Sequence, residues 1–139
     1  MKTIRYLLLF FSIFSQLYCL ASEKYNRRLI IAVAKENREL HLKIFQRSIV
    51  IGALHDQIKN FGGDASSICN DKTLVDVVSN LHEYEATNGS LQYHQWYNKR
   101  FKYACSVTEK AIKKVEDLHN DFVKLSLSPE IHVSHEIIK

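Results

Sequence analysis

The sequence predicts an all-α fold, a small up-down-up-down helical bundle, and three observations predict it. Apolar residues recur at heptad spacing from Ile30 to Ile58. One Pro and four Gly in 139 residues are too few to punctuate the many turns of a sandwich or barrel. Helix-start and helix-stop residues divide the rest into helix-sized pieces. The length supports one domain, and 46% apolar with 24% charged residues excludes disorder and low-complexity structure.

Residues 1–21 read as a signal peptide. Lys2 and Arg5 precede a short apolar run, Tyr6 to Phe14, and Cys19-Leu20-Ala21 offers small residues for cleavage before Ser22. The run is short for a membrane span, which ranks an uncleaved anchor second. Bulky Tyr18 before Cys19 ranks a lipoprotein site third. Cleavage removes Lys2 and Arg5 and lowers the formal net charge from +4 to +2. So small and dispersed a charge gives no reason to expect nucleic acid or an anionic membrane as partner. The expected location is periplasmic or secreted, with no stable membrane insertion after cleavage.

Helix one is expected from about Glu23 to Phe61. Ile30, Asn37, Ile44, Ile51 and Ile58 lie on one line, with Val33, Leu40, Arg47, Leu54 and Phe61 on the next. Ile31, Phe45, Ile49 and Val50 widen the apolar surface and favour a bundle over a two-stranded coil. Asn37 and Arg47 interrupt the stripe and read as a wetted bundle edge, with a contact or register device as the alternative. Gly62-Gly63 ends the helix. Residues 64–69 form a loop, and helix two follows from Asn70 or Asp71 to about Glu85, with Leu74, Val77, Val78 and Leu81 on one face. Asn88-Gly89 closes it, and Ser90 caps helix three.

Helix three carries Leu91, Tyr93, Trp96, Tyr97, Phe101 and Ala104. Ser106-Val107-Thr108-Glu109 has the form of a capping box and starts a fourth helix, from about Val107 to Leu127. One unbroken helix from Ser90 to Leu127 is the alternative. Pro129 stops the helical run, leaving residues 129–139 as a tail or short edge strand.

Loss of Cys19 with the leader leaves Cys69 and Cys105 in an oxidising compartment, where two cysteines most often pair. Helices two and three of about 15 residues each would return Cys105 to the level of Cys69, so a Cys69–Cys105 disulfide is expected. Two separate buried thiols are the other reading.

The chain lacks G-x-S-x-G and a phosphate-binding glycine loop, so no enzyme, cofactor or metal is expected. His132, His135 and Glu136 form the tightest histidine cluster but fall in the tail, and His55-Asp56 and His82-Glu83 read as solvated faces. Interaction is the better prospect. Tyr93 and Tyr97 share a helix face while Trp96 turns away, and Arg100 follows Trp96 at i+4, although aromatics that simply fill the bundle core are the favoured reading of the same stretch. The polar loop with Asp64, Ser66 and Ser67 is the second candidate contact. Tyr93, Trp96 and Arg100 with that loop make up the expected partner-binding set.

The segment from about Ile49 to Cys105 resembles the exported immunity proteins that neutralise type VI secretion amidases. The residues concerned are Ile51-Gly52-Ala53-Leu54-His55-Asp56, a glycine-containing loop, Cys69, Leu74-Val75-Asp76-Val77-Val78, and an aromatic-rich helix ending in Cys105. The resemblance implies a protein inhibitor that fills the cleft of a peptidoglycan-cutting enzyme, without chemistry of its own. The alternatives are a structural or interaction subunit of an envelope assembly, a small periplasmic chaperone and a secreted helical ligand.

Overall fold

A computed structural model describes residues 2–127, and every regular element among them is helical. The elements are α1 (Lys2–Asn60), α2 (Ser66–Cys69), α3 (Lys72–Ser79) and α4 (Leu91–Ser126). The expected tail and its histidines lie outside the described residues.

α1 is longer than expected because nothing in Ala21-Ser22-Glu23 interrupts a helix: it has no Pro, and Gly52 is its one glycine. Its 59 residues measure about 88 Å at 1.5 Å per residue. Residues 2–28 are exposed, so a chain beginning at Ser22 keeps every buried residue. Core contact begins near Leu29 and follows the first heptad line through buried Asn37, Ile44, Ile51 and Ile58. Ile31, Phe45 and Ile49 do not extend that core; all three are more than half exposed. Phe45 and Ile49 sit more than a quarter turn from the buried line, where no neighbouring element covers them.

The end of α1 is a Schellman motif. Gly62 N–H donates to Lys59 O at 2.9 Å and Gly63 N–H to Ile58 O at 2.9 Å, with Gly62 at φ 83°. At Gly63 the requirement is space instead of φ, since a Cβ there would meet the Phe122 ring. α2 forms a single turn where a loop was expected, held by buried Ala65 and by Asp64, which accepts from Ser66 N–H at 2.9 Å and from the Ser66 hydroxyl. Asp71 caps α3 by accepting from Leu74 N–H at 3.2 Å. α3 stops at Ser79 instead of reaching Glu85. Leu81 and the Tyr84 ring turn inward against Phe101 and the α4 aromatics, and that packing outweighs the modest helix propensity of a valine-rich segment.

α4 is one helix of 36 residues, about 54 Å long. Ser90 caps it by accepting from Tyr93 N–H at 3.2 Å. The expected break at Ser106 does not occur. The buried stripe His94, Tyr97, Phe101, Ala104, Thr108, Ala111 and Val115 passes straight through the box at 3–4 spacing. Thr108, the second box hydroxyl, bonds back to Ala104 O at 2.8 Å.

Continuity of α4 changes the topology. Asn37 meets His94 and Asn98, Arg47 meets Cys105 and Thr108, and Phe61 meets His119, so α4 runs parallel to α1. The segment from α3 to Tyr84 returns alongside this pair, with α3 packed mainly against α4. The architecture is up, down and up, rather than up-down-up-down.

The Cys69–Cys105 disulfide is likewise corrected: both thiols are free. With α3 only eight residues long, the hairpin geometry that would have matched their levels is absent. Cys69 packs beside Ile51, Ile58, Leu74 and Val115, whereas Cys105 packs with Ile44 and Phe101 and points its sulfur toward Leu40 O. Burial raises the pKa of both thiols, most of all by desolvating the thiolate.

Candidate protein-binding surface

The outer face of α4 carries the largest exposed aromatics that the fold holds in place. Trp96 is half exposed, and the Arg100 guanidinium lies 3.7 Å from its ring centroid, one helical turn on. Buried Tyr97 meets the Trp96 ring edge-on at 4.9 Å and fixes it from below. A cation over an indole face loses little freedom on binding, because both partners are already oriented. Tyr103, seven residues beyond Trp96, continues the face and is more than half exposed.

Tyr103 also divides a groove between α3 and α4. On one side is a cleft of about 440 Å³ with Ile68, Leu74, Val107 and Ala111 in its walls and Lys110 and Lys114 on its α4 side. On the other is one of about 330 Å³ reaching Val77, Leu81 and Arg100. Basic residues line the α4 wall, while Asp71 and Asp76 lie on the α3 wall. Apolar lining between charged edges suits a peptide segment better than a small polar metabolite.

A buried polar network holds the base of this face. Asn37, fully buried and not wetted, donates to His94 O at 2.9 Å and to the Tyr84 hydroxyl at 3.2 Å, and accepts from Asn98 Nδ2 at 2.8 Å. The Tyr84 hydroxyl is 2.8 Å from His94 Nδ1. His94 is fully buried, and its Nε2 has no hydrogen-bond partner. Desolvation by burial lowers its pKa, so the neutral imidazole is the resting form. Arg47 makes a second interhelical link, donating to Cys105 O at 2.7 Å.

Of the expected contact residues, Trp96 and Arg100 are brought together on the surface. Tyr93 is half-buried instead, stacked on Tyr84 at 5.9 Å with its hydroxyl accepting from Glu85 N–H, so it supports the fold. Asp64 and Ser66 bond each other, and Ser67 reaches the groove beside Ile68. Tyr103 and the groove depend on how α3 and α4 pack against each other, which spacing within either helix does not encode; the i+7 relation of Tyr103 to Trp96 was the available signal.

Histidines elsewhere form pairs that the sequence did not suggest. His55 Nε2 lies 3.8 Å from Asp64 Oδ1, and Cys69 and Ser48 share a cleft with His55. The thiol there is pushed up by burial and by Asp64, the opposite direction from nucleophile activation. His41 packs on Phe101 at 5.4 Å and faces His82 at 6.5 Å; burial, then His82, lowers its pKa. Among the described residues no group of three His, Cys, Asp or Glu side chains is placed to hold a metal. Near the N-terminus, α1 has a stretch apolar enough to cross a membrane, wholly outside the core, as a signal sequence also would. No family model, no curated protein and no solved structure matches the chain.

Proposed function

We propose that the chain is an exported helical protein-binding module that recognises its partner through Trp96, Arg100 and the Tyr103 groove. The single observation that carries this reading is the pre-stacked Trp96–Arg100 pair, held on buried Tyr97 beside an apolar cleft. Trp, Tyr and Arg dominate binding hot spots because they bury large areas at small entropic cost. In the inhibitor form of this reading, the pair and groove seat the rim of a peptidoglycan-cutting enzyme and exclude its substrate. Occlusion of that kind needs shape and preorganisation rather than reactive groups.

The test is paired affinity capture of envelope proteins, using the chain from Ser22 and its Trp96→Ala/Arg100→Ala variant. A protein retained by the first and released by the second supports the reading, and loss of a captured hydrolase's activity on titration supports occlusion. Identical captured sets overturn it. A structural subunit of an envelope assembly is the second reading, favoured by the exposed apolar residues of α1.

A further inference from the structure

One face of α1 carries a six-residue pattern that the core leaves uncovered, bordered on one flank by His82 beside Phe45 and by the Cys69 cleft beside Gly52. Arg38, Leu42, Phe45, Ile49, Gly52 and Asp56 follow one another at spacings of four, three, four, three and four. Such spacing keeps all six on one stripe of a helix, and it is the repeat by which two helices pack. All six are exposed, with Leu42, Phe45 and Ile49 each more than half so. Neither Arg38 nor Asp56 makes a hydrogen bond or ion pair among the described residues. A Cβ added at Gly52 would meet nothing within 4 Å.

We infer that this stripe is a self-association surface, on which α1 of a second copy lies antiparallel about a two-fold axis near Arg47. The pattern is its own complement under that rotation. Position 45 falls opposite 49 of the other copy, setting Phe against Ile. Position 42 falls opposite 52, setting Leu over the open glycine. Position 38 falls opposite 56, closing an Arg–Asp pair at each end. One patch thus serves both copies, as an isologous dimer requires. Parallel pairing would set Arg38 against Arg38 and Asp56 against Asp56, so charge selects the antiparallel direction. The next layer outward opposes Lys35 and Lys59, like charges that mark where the seam ends.

The seam spans about five turns, but its large apolar contacts are only Leu42, Phe45 and Ile49 from each copy, less than the roughly 800 Å² per partner of a standard interface. The dimer is therefore a concentration-dependent equilibrium. Antiparallel copies also send their N-termini in opposite directions, so two uncleaved leaders could not enter one bilayer; the dimer belongs to the processed chain. The Trp96–Arg100 face lies on α4, which leaves it free in both copies.

Sedimentation equilibrium of the chain from Ser22, over a hundredfold concentration range, tests the inference. The expected result is a monomer–dimer equilibrium. Phe45→Glu should weaken it at least tenfold with an unchanged melting temperature, since Phe45 supports no core contact. Arg38→Asp and Asp56→Arg should each weaken it about fivefold, and the double exchange should restore it. A monomer throughout the range overturns the inference, as does a dimer insensitive to Phe45→Glu or single charge variants that the double exchange does not rescue. Trp96→Ala leaves the equilibrium unchanged, so failure of the partner-binding reading and failure of this one are read separately.

Discussion

Asn37 interrupts an isoleucine line, and the usual meaning of such a residue is water at the bundle edge. Here it is sealed in, and its amide serves His94, Tyr84 and Asn98 at once. Removing it strands several buried polar groups, each costing about 1–3 kcal/mol. Asn37→Ala should therefore lower unfolding free energy by about 2–4 kcal/mol in urea titration. The same network gives a pH dependence. Burial holds the folded-state pKa of His94 below its ordinary 6.5, so the unfolded chain binds the proton more readily. Stability is complete above that value and falls as pH drops from 6.5 toward the folded pKa; His41 acts in the same direction. His94→Gln should flatten the fall in melting temperature between neutral and mildly acidic pH, and an unchanged slope would refute the assignment.

At the scale of elements, caps and breaks were unevenly legible. Ser90, Asp71 and Gly62-Gly63 were readable because capping is local chemistry, in which one side chain or one positive φ satisfies groups three residues away. Ser106 misled for a related reason. A capping-box pattern marks a start only where the chain arrives from outside the helix, and here buried Ala104 and Thr108 keep the turn closed. Ser90→Ala should lower stability by about 1 kcal/mol, whereas Ser106→Ala should change it by less than about 0.5 kcal/mol. Equal effects in thermal denaturation would argue for two helices. Gly63→Ala should destabilise by roughly 1–3 kcal/mol by forcing the Phe122 ring off Ile58.

For the whole molecule, the parallel α1–α4 pair replaces a covalent clasp as the organising contact. Two core clusters lie between these helices and the returning segment, one around Ile51, Ile58 and Val115, the other around Ile44, Leu81 and Phe101. Intact-mass analysis under reducing and non-reducing conditions should therefore show no two-proton difference. A difference would restore the disulfide. The exposed N-terminal part of α1 contributes nothing to either cluster, so removal of residues 1–21 should leave the melting temperature of the remainder unchanged.

The sequence by itself determined the all-helical class, the buried isoleucine line of α1, three helix ends, and that Tyr97 and Trp96 turn to different sides of their helix. Each follows from periodicity or from hydrogen bonding within a few residues, which sequence spacing encodes directly. Only the tertiary structure decided that Tyr93 is a support and Tyr103 a surface residue, that Asn37 is sealed in, and that Cys69 and Cys105 stay apart. It also decided that α4 runs unbroken beside α1. Those outcomes depend on which faces meet between separate elements, from Tyr84 against Tyr93 to Asn37 against Asn98, where contact between buried surfaces outweighs local signals of about a kilocalorie.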